Sequence, residues 1–530
     1  MEIDEEIQQR QALLQPNFAV PKSWEADDKE FTDEVRIGRH NKRFPPTIHP
    51  NKITTNEIKE VLKRKKNKSS AGEDGISYKI LKHAGSKFLT SLARFFTCLL
   101  VTGYFPKPWR SVRVKMIPKA GKDTTMSKGW RPISLSSCTS KVFESCIKSR
   151  LTKEQEASGA GNIHQAAYKQ GRSAQEHLLR LTECVNNAFK QKQSVIAVFL
   201  DVEGAFDKVW INGLLRKVFS ARFSNNLTRL IASFLQERSL KVRVGDADSC
   251  KVHMKAGTPQ GAVLSPTLFN LFVDDIETLI GEGVHLAQYA DDIAIWVADE
   301  CPRRAEQKMN ETLSKISTWT SRWRVKLAPE KSAFILFSKR PTHSRMTIKL
   351  QLLGKEIQRV SSHRFLGVKF DEKLLWKQHI QEILGSAMPR TAALKALAAK
   401  STWRRPDWIL KLHESIVNSI WKYGSVAFAA MCEEQWRKIQ KVHASCVKSY
   451  AGVPQYVSYE TVRDHLGIED IKTNILNAAK KRILAITAYS PFGRKLVEDA
   501  FIQSLSNYKG PIATVINAED RERLAASWIT

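Results

Sequence analysis

The chain has 530 residues, with 84 lysines and arginines against 54 aspartates and glutamates, giving a formal charge of +30. Hydrophobic residues make up 42% of it, enough to bury cores, which excludes wholesale disorder. A globular chain this basic points to a polyanionic partner, nucleic acid first.

The eight cysteines include no C-x-x-C pair and no Cys/His cluster with zinc-ligand spacing, so they read as free thiols in a reducing compartment. The start, Met1-Glu2-Ile3-Asp4-Glu5-Glu6, is acidic and lacks the basic and apolar regions of a signal peptide. The uncharged stretch from Ala256 to Val273 is broken by Pro259, Gln260, Pro266 and Asn270 and makes a poor membrane span. An intracellular chain with no membrane partner is expected.

Residues 1–34 carry ten acidic against three basic side chains, a net of −7, and read as an acidic extension or linker remnant reaching to about residue 49. Thr54-Thr55-Asn56-Glu57 signals a helix start, with Ile58, Val61 and Leu62 on one face and the basic run Lys63 to Lys66 behind it. A loop with Gly72 and Gly75 leads to a helix over Phe88–Val101. Ser111–Ile117 alternates like a strand, Gly121-Lys122-Asp123 marks a turn, and Trp130-Arg131-Pro132-Ile133 begins a second extended piece. Helical patterns cover about 138–155 and 174–191.

Val195–Leu200 is a continuous apolar run ending at Asp201, the pattern of a buried strand. Runs at 240–244 and 251–255 flank Gly245-Asp246 and predict a hairpin. Ser265-Pro266 starts a helix expected to reach about Ile280. His285–Gln288 and Ile293–Val297 bracket Tyr289-Ala290-Asp291-Asp292 as another hairpin. A helix over 303–323, a strand over Ala333–Phe337 and two further short strands precede Phe365-Leu366-Gly367-Val368. From about 375 onward nearly everything reads as helix. The pattern predicts an α+β centre with a helical rear.

The chemistry rests on carboxylates at strand ends. Asp201 closes a buried strand, and Asp291-Asp292 occupies a tight turn with apolar arms. Carboxylates so placed lose hydration unless a cation compensates. Two such sites brought together would hold two divalent metals, and all-oxygen ligands suit Mg²⁺. Taken alone, an Asp-Asp pair is ordinary turn chemistry. Asp274-Asp275, which follows the apolar helical stretch Leu268–Phe272, reads as a helix-surface pair.

The order Asp201-Val202-Glu203-Gly204-Ala205-Phe206-Asp207, then Ala256-Gly257-Thr258-Pro259-Gln260-Gly261, then Tyr289-Ala290-Asp291-Asp292 resembles the palm of a reverse transcriptase. Ile117–Asp123 and Trp130–Leu135 look like that family's fingers, and Gln165–Ser173 like its next segment, with Tyr168-Lys169 where Phe-Arg is usual. Leu327–Ser332 and Phe365–Val368 match the segments closing the palm. The Lys68–Gly75 loop is characteristic of non-LTR retrotransposon enzymes, and the tail with Tyr423-Gly424 looks like their jockey-type branch.

The resemblance implies a right-hand polymerase fold: fingers and palm with an antiparallel sheet over 50–368, a helical thumb over 369–455, and a helical C-terminal region over 456–530. It implies an RNA-directed DNA polymerase that extends a DNA 3′-end by copying RNA during retrotransposition. Alternatives are a catalytically impaired nucleic-acid-binding remnant and a reverse transcriptase of the group II intron type. Asp201, Asp291, Asp292 and the Val202 carbonyl would bind two Mg²⁺ ions, with Mn²⁺ able to substitute. Lys119 and Arg131 would contact the incoming triphosphate, together with backbone at Gly204 and Ala205.

Phe206 would lie beneath the sugar and disfavour ribonucleotides. Gln260 and Gly261 would pack against the templating base pair. Lys331 would protonate the pyrophosphate leaving group, and Phe365, Leu366 and Gly367 would form the primer grip. Glu203 and Asp207 receive no role. Implied partners are an RNA template, a DNA primer or target, dNTPs and the element RNA in a ribonucleoprotein, with nuclear location at the integration step.

Rear segments such as Trp376-Lys377, Trp403-Arg404-Arg405, Trp421-Lys422-Tyr423 and Trp436-Arg437-Lys438 place cations for phosphates beside rings that either stack on bases or pack a helical core, the core being at least as good a reading for each ring taken singly. Jockey-type elements carry an endonuclease ahead of the polymerase; only about 50 residues precede the matching region, so a fragment or truncated reading frame is expected. No acidic set for a ribonuclease H follows residue 370.

Overall fold

The computed structural model describes residues 52–524 apart from 120, 127–128, 159–160, 246, 400–405, 505–509, 518 and 521. The acidic extension, Asp246 and Trp403-Arg404-Arg405 lie outside the described residues. Among the described residues fourteen strands run in chain order. They are β1 (Ser111–Pro118), β2 (Trp130–Leu135), β3 (Ser194–Asp201), β4 (Ser239–Val244), β5 (Ala247–Asp248), β6 (Val252–His253) and β7 (Val284–Tyr289). After them come β8 (Asp292–Asp299), β9 (Ala333–Phe337), β10 (Gln351–Leu352), β11 (Lys355–Glu356), β12 (Gln358–Arg359), β13 (Ser362–Phe365) and β14 (Val368–Asp371).

The chain divides into two compact units, each assembled from three stretches. The first comprises 1–162, 202–278 and 318–327; the second comprises 163–201, 279–317 and 328–530.

In the first unit the predicted helix start is built as expected. The Thr54 hydroxyl accepts from the Glu57 N–H and caps the helix Thr55–Lys63. The sheet runs β2-β1-β4-β5, with β6 also on β4. Strand β1 pairs antiparallel with β2 and parallel with β4. Its alternation turns Val112, Val114 and Met116 onto Leu240, Val242, Val244 and Met254, a separate small core.

Two sequence expectations differ here. The expected hairpin forms, Val244 pairing with Ala247, but its returning arm is two separate two-residue strands, β5 and β6, both antiparallel to β4, in place of one run over 251–255. The helix from Ser265 stops at Phe272 and continues as a 3₁₀ turn, Asp274–Leu279. Tertiary partners hold that turn. Asp274 accepts from the Asn162 N–H at 2.7 Å, and Asp275 takes both the buried Lys217 ammonium at 2.6 Å and the Trp319 indole N–H at 2.8 Å. Asp275 is thus an anchor for a buried cation, where a solvent-facing helix pair was expected.

In the second unit the sheet order is β12-β9-β3-β8-β7, and all but the β12–β9 pair are antiparallel. Every residue of β3 before Asp201 is buried, as its unbroken apolar run requires. One face of this strand, Val195, Ala197 and Phe199, joins a cluster with Phe337, Phe370, Trp376, Trp421, Trp436 and Ile475. The rear helices Lys377–Ala399, Glu433–Ala451 and Ile471–Tyr489 therefore share the sheet's core. Three two-residue strands, β10 to β12, stand where two were expected ahead of Phe365-Leu366-Gly367-Val368, and β13 runs into Phe365.

Of the two readings of the rear rings, the core one holds for the described tryptophans of those segments. Trp376, Trp421 and Trp436 are buried to 3% exposure or less, while Lys377, Arg437 and Lys438 are exposed. These three tryptophans serve packing, while Tyr423 and the charges meet solvent. Among the described residues no helix is long and apolar enough to cross a membrane.

Candidate active site

The second unit brings the predicted carboxylates together by strand register. Asp201 and Asp292 are direct cross-strand partners at the ends of β3 and β8, and Asp291 precedes Asp292 in the turn. That turn needs a left-handed residue, and Ala290 supplies it at φ +57°. A non-glycine residue there costs roughly 1 kcal/mol, so the turn must be braced. Gln165 does this: its Oε1 accepts from the Ala290 N–H at 3.1 Å and from the Ala167 N–H at 2.9 Å.

Like charges meet at this end of the sheet. Asp292 keeps solvent contact, yet burial of its inner side, then the charges of Asp291 and Asp201, raise its carboxyl to about 6. The nearest cation to Asp201 in this unit is Lys331, whose Nζ lies 3.6 Å from Oδ2. Both side chains are about half exposed, so the pair contributes little by itself. The backbone of Asp201 is held on both sides, its N–H donating to Ser332 Oγ at 3.3 Å and its carbonyl accepting from Ala328 at 3.0 Å.

Among the described residues no three His, Cys, Asp or Glu side chains are gathered closely enough to hold a metal on their own. The donor set nevertheless fits Mg²⁺, which takes one or two carboxylates and completes its shell with water and substrate phosphate. Burial first, and then the charges of Asp291 and Asp201, lift Asp292, and a cation placed there would offset all three effects.

The predicted primer grip is a tight hairpin of the same unit. Phe365 pairs with Val368 across a two-residue turn, with Leu366 at φ +46° and Gly367 at φ +82°. The Tyr423 hydroxyl donates to the Leu366 carbonyl at 2.8 Å. Its phenol is raised by burial and by the neighbouring Tyr289 and Asp292. In the sequence Tyr423-Gly424 stands out only as a tail motif; the contact spans 57 residues and leaves no local signal.

The first unit carries the remaining predicted residues. Val202 is buried and bridges Leu327, while the Glu203 N–H donates to the Lys326 carbonyl at 2.8 Å. Gly204, at φ +63°, begins a turn whose carbonyl accepts from Asp207 and Lys208; Gly204 is exposed and Ala205 half-buried. Glu203 pairs with Lys208 at 3.1 Å. Phe206 is half-buried and rests on Phe269, ring centroids 4.9 Å apart. Arg131 on β2 is exposed opposite Ile117, and Lys119 just beyond β1 donates its N–H to the Gly129 carbonyl.

The loop holding Gln260 and Gly261 is tied on three sides. The Gln260 carbonyl accepts from Ser134 on β2 at 2.8 Å, and a Cβ at Gly261 would stand 2.8 Å from the Ser134 carbonyl oxygen. Buried Glu144 accepts from the Val263 and Leu264 N–H groups at 2.7 and 3.3 Å, fixing where the following helix begins. The Gln260 side chain donates to Asp207 Oδ1 at 2.7 Å.

Residues 117–370 match the family described as reverse transcriptase (RNA-dependent DNA polymerase). The chain is similar to the probable RNA-directed DNA polymerase from transposon BS of Drosophila melanogaster, 30% identical over 80% of this chain and 47% of that protein. It is also similar to the RNA-directed DNA polymerase from mobile element jockey of the same species, 28% identical over 91% of this chain and 51% of that one. A solved structure of apo telomerase from Candida tropicalis aligns with a TM-score of 0.37 and 12% identity, covering 78% of this chain and 72% of that one. The chain spans about half the length of the curated relatives it matches.

Proposed function

We propose that this chain, whose residues 117–370 form a reverse transcriptase domain, is an RNA-directed DNA polymerase of a non-LTR retrotransposon. The observation that carries the reading is the register pair Asp201 and Asp292, with Asp291 beside it in the turn. The reaction is attack of a DNA 3′-hydroxyl on the α-phosphorus of a dNTP: a new O–P bond forms, the bond to pyrophosphate breaks, and the hydroxyl proton is lost.

Asp201, Asp291 and Asp292, with the Val202 carbonyl, would hold two Mg²⁺ ions, which lower the charge barrier at the attacking oxygen and the phosphates. Phosphoryl transfer asks the protein mainly for positioning and charge, and these residues provide both. Lys331 carries a proton that the leaving pyrophosphate can accept, and its place beside Asp201 suits that role. Lys119 and Arg131 face the triphosphate, with the Gly204 and Ala205 backbone. Phe206, propped by Phe269, lies under the sugar, and Gln260-Gly261 backs the base pair. The Phe365-Leu366-Gly367 hairpin holds the primer end.

The partners are an RNA template, a DNA primer or target, dNTPs and the element RNA, with nuclear location at integration. Residues 50–368 would act as fingers and palm, 369–455 as thumb and 456–530 as a C-terminal extension. The test is primer extension on poly(rA)/oligo(dT) with Mg²⁺ and with Mn²⁺. Wild type should extend, and Asp291→Asn/Asp292→Asn should lose at least a thousandfold of the rate. A wild type that binds the hybrid and extends nothing with either ion would overturn the polymerase reading in favour of an impaired binding remnant.

A further inference from the structure

Asp207, a residue without a role in the family resemblance, is half-buried among the nucleotide-facing loops of the first unit. Its Oδ1 accepts from Gln260 Nε2 at 2.7 Å. Its backbone N–H is tied to Gly204 at 3.0 Å, and a Cβ at Gly257 would stand 2.6 Å from its carbonyl oxygen, so the backbone has little room to shift. Burial raises the carboxyl to about 6, while the Gln260 bond and the nearby Lys119 and Lys208 pull it down. Those two ammonium groups and the Gln260 amide are the charged and polar groups facing it. At neutral pH the ionised form prevails.

An ionised carboxylate can only accept hydrogen bonds. The Gln260 amide must therefore turn its NH₂ toward Asp207 and its carbonyl oxygen away. The Gln260 backbone carbonyl is separately held by the Ser134 N–H, and the bond to Asp207 holds the far end of the side chain, fixing which way its amide faces. We propose that Asp207 is a positioning residue that holds the Gln260 amide by one of its N–H groups, so that Gln260 turns its carbonyl oxygen, a hydrogen-bond acceptor, toward the nucleotide. This rests on the polymerase reading for the identity of the ligand, but the lock itself does not.

Two measurements separate the parts. In protein labelled with ¹⁵N at glutamine side chains, the Gln260 NH₂ protons should exchange slowly in wild type and quickly in Asp207→Asn. Fast exchange in wild type would overturn the lock whether or not the chain polymerises. In primer extension, Asp207→Asn should raise KM for dNTP about tenfold with kcat within about twofold, as expected for one lost oriented hydrogen bond. In a Gln260→Ala background the same change should have no further effect on KM.

Multiplying effects, or a fall in kcat with KM unchanged, would overturn the proposal. Should Asp207→Asn fail to fold, Gln260→Glu serves instead. Two facing carboxylates should raise KM more than Gln260→Ala does, and an equal or smaller rise would refute the lock. A wild type that extends no primer sinks the polymerase reading and leaves the exchange result standing on its own.

Discussion

Replacing Tyr423 with phenylalanine removes one oxygen and keeps the ring. The lost bond is a 2.8 Å donation to the Leu366 carbonyl, at the tip of the hairpin assigned to the primer terminus. A neutral hydrogen bond of this kind contributes about 0.5–1.5 kcal/mol net. Tyr423 is 42% exposed, so water can replace part of the bond and the lower half of that range applies. That corresponds to roughly a two- to fivefold rise in KM for primer–template, with little change in KM for dNTP.

The neighbouring glycine gives a stronger perturbation of the same contact. A Cβ at Gly367 would stand 3.0 Å from the Tyr423 ring at a φ of +82°, so Gly367→Ala should push the ring off the turn and exceed the Phe variant. The assay is steady-state primer extension with primer–template varied, paired with hydrogen exchange over residues 365–368. If Tyr423→Phe leaves both primer KM and exchange at the turn unchanged, the hydroxyl does not hold the hairpin.

Phe206→Ala should admit ribonucleotides if, as proposed, the ring propped by Phe269 lies under the sugar; competition between dNTP and rNTP measures it, and unchanged discrimination counts against the steric role. Lys331→Ala should lower kcat roughly tenfold or more with dNTP KM little changed, as loss of a proton donor requires; an effect on KM alone would recast the lysine as a binding group. Glu183 is fully buried, where burial raises its carboxyl to about 8 against the bond from the Ile512 N–H. The folded chain then keeps a proton that the unfolded chain releases near pH 4.5, so its contribution is intact in acid and is lost as pH rises to about 8. Glu183→Gln should match wild type below pH 4.5 and gain on it steadily to about pH 8, by up to about 5 kcal/mol. A melting-temperature difference that stays constant across pH 5 to 9 would contradict the burial argument.

The carboxylates are legible because each sits where an apolar strand ends, a placement that strips a charge of water unless a cation stands in for it. Their pairing is not, because register between β3 and β8 depends on partners about 90 residues apart. The helices and long strands follow periodicity closely, from Thr55–Lys63 to Pro302–Trp323. Where periodicity misleads, tertiary contacts override it. The 3₁₀ turn at Asp274 answers to Asn162, Lys217 and Trp319, and two-residue strands such as β5 and β12 are too short to leave a pattern.

The rear tryptophans show a different limit. A helix with rings and cations in turn looks the same in sequence whether the rings face a core or a ligand, and here Trp421 and Trp436 face the core. Asp207 and Tyr423 escape sequence reading because their partners lie 53 and 57 residues away.

Strand β8 begins and ends with an aspartate, and the protein treats the two in opposite ways. Asp299 is buried, which works against its charge, but the Cys301 N–H, Lys308 at 3.1 Å and Arg304 at 2.9 Å outweigh this and hold its carboxyl below the ordinary range. Asp292, at the other end, faces its own kind and is pushed up. One terminus of the ribbon is riveted and the other is under electrostatic pressure. Fraying should therefore start at the mouth of the site and stall well before Asp299, with amide exchange graded along the strand. A sheet loosened only at the end that carries the paired acids can yield there while its far edge keeps the register that aligned them in the first place.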